Sequence, residues 1–272
     1  MAEAMIAGLL RQELVTAEQI VGSHPRAARR EELYTKYATH IFENNREAVL
    51  AAHGSEDSDQ AAHTGSLVIL AIKPQRLNKV LHELKGSIHP DQVVVSIVAG
   101  ARAETIAGKL LHPAVVRAMP NTPAQIGQGM TAWTATAEVS DAQEREVGAL
   151  FAALGKAMRV ENERQIDMAT ALSATGPTYV FLVMEALIDA GVHLGFSRHV
   201  AQDLVQQMML GSVLFAMESH KHPAELRNMV TSPGGTSADA IYQMEKGSLR
   251  TVLSKAVWAA YQRAEALGGE KG

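Results

Sequence analysis

The sequence predicts an α/β fold, a doubly wound sheet domain over residues 1–160 followed by an all-helical domain over residues 161–272. Short apolar runs such as Leu67–Ile72, Gln92–Ile97 and Val115–Met119 alternate with helical periodicity in the first half, the pattern of a parallel sheet covered on both faces. From about Glu163 every long segment is helical, punctuated by Pro177, Pro223 and Pro233. A doubly wound nucleotide-binding (Rossmann-like) sheet opens with a strand, a glycine loop and a helix. This chain opens with the helical pattern Met1–Leu10, so the sheet is expected to lack its first strand.

The strands expected in order are Gln19–Ser23, Thr39–Phe42, Leu67–Ile72, Gln92–Ile97, Val115–Met119 and Thr131–Ala135. Helical periodicity falls near Pro25–Tyr37, Arg46–Ala52, Pro74–Leu84, Ala103–Leu111 and Ala142–Leu154. The polar, acidic stretch His53–Thr64 reads as a surface insertion. In the second half, Pro177–His193, Arg198–Glu218 and Leu249–Ala266 carry more apolar positions than one stripe needs. A second buried face, and so a subunit interface, is expected; a self-contained bundle with a generous core is the alternative.

Composition narrows the function. The 272 residues are 47% hydrophobic with a formal net charge of −4, which suits a globular chain and disfavours nucleic acid or an anionic membrane as partner. There is no cysteine, so disulfides, thiolate zinc sites and thiol catalysis are excluded. The apolar run Tyr179–Leu194 is interrupted by Glu185 and Asp189, and no run reads as a membrane span. Glu3 and the lack of a basic start make a poor signal peptide, so a cytoplasmic protein is expected. The eleven histidines form no metal-ligand spacing, and the twelve methionines read as packing.

The most informative stretch is Ser232-Pro233-Gly234-Gly235-Thr236-Ser237, between two helical patterns. Paired glycines allow positive φ and expose backbone N–H groups. Thr236 or Ser237 is expected to cap the following helix, with Asp239 placed for a capping box. A loop ending at a helix N-terminus receives a small carboxylate. An ordinary Pro-Gly turn with an N-cap is the plainer reading of the loop alone.

Its flanks extend the pattern through Ala174–Phe181, Ala71-Ile72-Lys73-Pro74-Gln75 and Arg117-Ala118-Met119-Pro120-Asn121-Thr122-Pro123. In this order, over nearly the whole chain, these segments resemble pyrroline-5-carboxylate reductases. The resemblance implies NADPH-dependent reduction of 1-pyrroline-5-carboxylate to L-proline. It implies a substrate-binding and dimerisation role for the helical half, and a homodimer or higher homo-oligomer. In that family the residues matching Met1–Leu10 follow the glycine loop directly, which favours Met1 as an internal methionine of a longer frame.

Ser23 and Arg26 follow the strand whose end reads the ribose 2′ position; a serine with a guanidinium suits a 2′-phosphate, so NADPH is preferred and NADH is second. Arg26 as one member of a basic helix with Arg29 and Arg30 is the competing reading. Lys73, at the end of a strand with Pro74 opening a helix, is expected to face the cofactor. By the resemblance, Ala71–Pro74 contact the cofactor, Asn45 approaches its adenosine half, Ile97, Val98 and Ala99 line the nicotinamide side, and Glu163 lies near it. Asn121-Thr122-Pro123 forms a wall of the same cleft. Gly127–Ala132 satisfies G-x-G-x-x-A but leads into a strand, so it is rejected as a phosphate loop.

For catalysis, Ser232, Gly234, Gly235, Thr236 and Ser237 are expected to bind the substrate, with the hydroxyls of Ser232, Thr236 and Ser237 as the catalytic candidates. Ser237 stands where the family usually has threonine, and keeps the hydroxyl without the methyl that restricts its rotamer. Three alternatives remain: a β-hydroxyacid dehydrogenase of similar layout, a reductase of another cyclic imine, and a non-catalytic paralogue.

Overall fold

A computed structural model describes residues 1–53 and 67–269. Most of the expected insertion His53–Thr64 lies outside the described residues. The chain opens with helix α1 (Ala2–Arg11), as expected, followed by β1 (Val21–Ser23), α2 (Ala27–Tyr37), β2 (His40–Phe42) and α3 (Asn45–His53). Then come β3 (Leu67–Leu70), α4 (Leu77–Leu84), β4 (Val93–Ser96), α5 (Ala103–Leu110), β5 (Val115–Met119), β6 (Gly129–Ala135), α6 (Asp141–Ala152) and β7 (Gly155–Arg159).

These strands form two sheets. β1 and β2 pair in parallel, Val21 opposite His40, and β3-β4-β5-β6-β7 form the larger sheet. Among the described residues no strand joins β1 to β3. Helices on both faces span the two sheets instead. Val49 of α3 packs with Val68 and Leu70 of β3, while α3 also lies on β1 and β2. On the other face Glu3 of α1 bonds Arg29, Lys36 and Tyr37 of α2. Met5, two residues on, packs with Val93, Val95 and Phe151.

β4 shows why the larger sheet is buried on both faces. Its side chains alternate: Val93 and Val95 pack with Phe151 and Leu154, and Val94 packs with Leu81 and Ile106. Each such apolar side chain stabilises the fold by roughly 1.5–3 kcal/mol relative to exposure.

Two features depart from the expected parallel order. β6 runs antiparallel to β5, Ala118 opposite Trp133, because the turn between them is too short to hold a crossover helix. β7, absent from the expected strands, adds in parallel to β6. Its residues Gly155-Lys156-Ala157-Met158-Arg159 are partly buried or exposed, so no apolar pattern marks them.

The helical half comprises α7 (Glu163–Ala169), a π-helical turn Thr170–Ala174, α8 (Gly176–His193), α9 (Arg198–Ser219), α10 (Pro223–Met229), α11 (Thr236–Lys246) and α12 (Leu249–Gly269). By contacts the chain divides at Thr175 rather than near residue 160: one unit is Met1–Thr175 with Ala260–Gly272, the other Gly176–Ala259. α7 stays with the sheet because Ile166 is buried against Met119 and Ala132.

In the second unit Gly191 of α8 approaches Ala201 of α9 so closely that a Cβ would lie 2.9 Å from the alanine methyl. The apolar surplus seen in the sequence is real: Phe181, Leu187, Leu204, Phe215 and Trp258 are exposed. By length and composition alone the helical stretch Glu163–His193 is apolar enough to cross a membrane, a test that core helices of soluble proteins also pass.

Candidate functional site

The parallel strands β3, β4 and β5 end on one edge of the larger sheet, and Ala71–Pro74, Ile97–Gly100 and Pro120–Asn121 follow them there. The turn after β4 is closely specified. The Ile97 N–H donates to the Leu70 carbonyl at 3.3 Å, tying the ends of β4 and β3 together. The Ser96 hydroxyl accepts from the Val98 N–H at 3.3 Å, and the Ala101 N–H donates to the Val98 carbonyl at 3.2 Å. Gly100 sits at φ +73°, and a Cβ there would lie 2.7 Å from the Leu267 backbone, so only glycine fits. After β5, Asn121 Oδ1 accepts from the Met130 N–H at 2.9 Å, and its amide nitrogen donates to the Ser173 hydroxyl in the π turn at 3.3 Å.

Lys73 is exposed and has no ion-pair partner among the described residues. At the end of β1, the Ser23 hydroxyl donates to Asn45 Oδ1 at 2.7 Å, and the Asn45 amide donates to Glu83 at 2.6 Å. Of the three nearby arginines two are engaged. Arg29 pairs with Glu3 and Glu32; Arg30 braces the turn through the His24 and Pro25 carbonyls and pairs with Glu43. Arg26 is exposed, and its guanidinium is without a partner among the described residues.

Glu163 is committed to structure. Its Oε1 accepts from the Ala103 N–H at 2.7 Å and lies 3.5 Å from Arg117. Its Oε2 is 3.9 Å from Arg102. Asp167, one turn on, holds Arg117 at 2.6 Å and Arg102 at 3.1 Å. Arg102 and Asp167 were not anticipated. An arginine inside the apolar strand Val-Val-Arg-Ala-Met was the available signal, because a buried guanidinium requires an acidic partner.

In the second unit the Ser232–Ser237 loop leads into α11. The cap differs from expectation: Gly235 is the N-cap, with no side-chain cap, so Thr236 and Ser237 occupy the first turn. The reason is steric. Gly234 takes φ +71°, and a Cβ on Gly235 would lie 2.6 Å from the Ser232 hydroxyl, so the loop closes on the glycines. The Gly235 N–H donates to the Ser232 carbonyl at 3.1 Å, and the Gly235 carbonyl accepts from Ala238 at 3.0 Å. The first-turn amides of Thr236 and Ser237 have no intrahelical acceptor by construction, and the helix dipole favours an anion beside them. Gly127 turns directly into β6, so the G-x-G-x-x-A match there precedes no helix.

The chain is similar to known proteins over nearly its whole length. Residues 163–267 match the family described as pyrroline-5-carboxylate reductase dimerisation, and residues 1–100 match NADP oxidoreductase, coenzyme F420-dependent. The chain is 40% identical over 273 residues to the pyrroline-5-carboxylate reductase of Pseudomonas aeruginosa, covering all of this chain and 95% of the relative. It is 38% identical to that of Synechocystis, covering 98% and 95%. Among solved structures, a Coxiella burnetii pyrroline-5-carboxylate reductase aligns with TM-score 0.84 at 33% identity, covering 98% of this chain and 94% of that one. The Plasmodium falciparum pyrroline carboxylate reductase with NADP bound aligns with TM-score 0.86 at 26% identity, with the same coverage. The parallel strand ends, the Ser-Pro-Gly-Gly loop opening a helix and this full-length likeness make the chain a member of the pyrroline-5-carboxylate reductase family.

Proposed function

We propose that this protein reduces 1-pyrroline-5-carboxylate to L-proline with NADPH. The observation that carries the reading is the Ser232–Ser237 loop, with its unpartnered first-turn amides, inside the matched dimerisation segment. A substrate that is both a carboxylate and a cyclic imine needs an anion receptor and a hydrogen-bonding group for nitrogen, and this loop offers both.

The residues present fit a phosphate-bearing dinucleotide: Arg26 and Lys73, at strand ends, are cations without partners among the described residues. Ser23 and Arg26 hold the 2′-phosphate, which makes NADPH the preferred form over NADH. Ala71–Pro74 and Asn45 contact the cofactor, and Ile97, Val98 and Ala99 line its nicotinamide side. NADPH supplies the hydride when bound.

The protein's own contribution is position and electrostatics. The amides of Gly234, Thr236 and Ser237 hold the substrate carboxylate, with Gly235 closing the loop and the Ser232 and Thr236 hydroxyls beside it. The Ser237 hydroxyl orients the ring nitrogen, which carries a proton in the product amine. A serine hydroxyl is a weak acid, so its role is orientation and polarisation rather than bulk proton supply.

Residues 161–272 serve substrate binding and dimerisation, and residues 1–160 the cofactor. The exposed apolar side chains of α8, α9 and α12 need a partner, which a homodimer provides; we place the enzyme in the cytoplasm. NADPH consumption dependent on 1-pyrroline-5-carboxylate, with L-proline as product, tests the reading. No proline formed at any substrate concentration overturns it.

A further inference from the structure

We propose that Arg102, Glu163 and Asp167 are positioning residues for the reaction, acting through the turn after β4 and never touching cofactor or substrate. The proposal rests on the reading above, in which Ile97–Ala99 line the nicotinamide side. That turn joins β4 to α5, and its far end is held from a distance. The N-cap of α5 is Arg102, which carries no side-chain acceptor and makes no cap hydrogen bond. Glu163 supplies the missing acceptor across 60 residues of sequence, taking the Ala103 N–H at 2.7 Å. Its negative charge therefore stands at the positive end of α5.

The carboxylate cannot swing away, because it is held in turn. Arg117 projects from the middle of β5 and reaches Glu163 at 3.5 Å and Asp167 at 2.6 Å. Arg102 closes the ring onto Asp167 at 3.1 Å. Two arginines and two acids balance in charge, and the pair Arg117–Asp167 is shut off from water. Such a network fixes one geometry even where it adds little net stability.

The middle of the turn is also pressed by α12. Leu267 fills the space a Cβ would need on Gly100, and a Cβ on Gly268 would lie 3.0 Å from the Arg102 guanidinium. With its start tied to β3 through Ile97 and its end capped by Glu163, the stretch 97–99 has no free end. Hydride transfer depends on placement at the scale of an ångström, and misplacement by a remote substitution costs up to about a hundredfold.

Arg102→Ala tests this without stranding Arg117, which keeps Asp167. Two measurements are made on the whole protein. Hydrogen exchange without cofactor should show amides of residues 98–106 exchanging up to about fivefold faster, the loss expected for one partly exposed ion pair on the capping network, while amides of β6 and α6 stay unchanged. In steady state the variant should show lower kcat and a larger primary isotope effect with 4-deuterated NADPH, because hydride transfer becomes slower relative to product release. Arg102→Lys should restore part of both effects. A purely structural role would lower only the active fraction, leaving the isotope effect and the KM for NADPH unchanged.

Unchanged exchange in residues 98–106, or an unchanged isotope effect with lower stability alone, overturns the proposal. If the parent protein forms no proline, the functional reading fails instead, and exchange still decides whether Arg102 holds the turn.

Discussion

Asp167 accepts a hydrogen bond from Arg117 at 2.6 Å with each side chain only 1% exposed, so an α7 carboxylate is sealed against the centre of β5. Asp167 Oδ2 and Arg117 Nε have no aligned hydrogen-bond partner, although Oδ2 lies within ion-pair reach of Arg102. The pair is therefore demanding: broken on one side it leaves a bare buried charge.

Asp167→Ala is expected to destabilise the protein by about 3–5 kcal/mol, measured by urea unfolding. The double variant Arg117→Met with Asp167→Leu should recover most of that loss, since apolar replacement of a buried pair is often neutral. A single variant as stable as the parent would show that the pair is not sealed from water.

Glu3 gives a pH-dependent test of how α1 is fastened to α2. Lys36, Arg29 and Tyr37 hold its carboxyl down at about 2, below the usual carboxylate range. The folded value lies below the unfolded one, so the stabilisation is full above the unfolded value near 4.5 and is lost as pH falls towards 2. Glu3 is about a third exposed, so solvent screening reduces the effect to about 1 kcal/mol. Glu3→Gln should be less stable than the parent by about that amount at neutral pH, with the difference vanishing near pH 2. A constant difference across the titration would contradict it.

Arg26→Ala should weaken NADPH binding by roughly 1.5–3 kcal/mol while leaving NADH nearly untouched, as calorimetry would show. The structure sharpens this expectation, because Arg29 and Arg30 are engaged elsewhere and cannot substitute. Equal losses for both cofactors would make Arg26 a structural residue.

Ser237→Ala should lower turnover by about 10²–10⁴-fold if the hydroxyl assists proton handling at the ring nitrogen, with NADPH affinity little changed. Unchanged steady-state rates would remove Ser237 from the mechanism.

Much of this was legible in the residues. Val115–Met119 could be read as a strand to the residue, because a β-rich run this short between turn signals, interrupted only by Arg117, does not suit a helix. The Pro-Gly-Gly loop was legible through its glycines, and only the cap fell one residue earlier than expected. The orientation of β6 was not legible from its own residues: it depends on the short path from Met119 to Gly129, not on local propensity. β7 owes its existence to pairing with β6, so Gly155–Arg159 carries no pattern of its own. Glu163 stands out in the sequence only through the resemblance, and its partners Ala103 and Arg117 are brought to it only by folding.

The central claim is hydride delivery to the imine carbon of 1-pyrroline-5-carboxylate, and isotope transfer tests it most directly. The protein is incubated with NADPH deuterated at both C4 positions and with 1-pyrroline-5-carboxylate, and the product is analysed by mass spectrometry and NMR. One deuterium per L-proline at ring carbon 5 is the expected result, with loss of label from the cofactor in equal amount. Proline without label, or no proline while NADPH remains intact, would contradict the account.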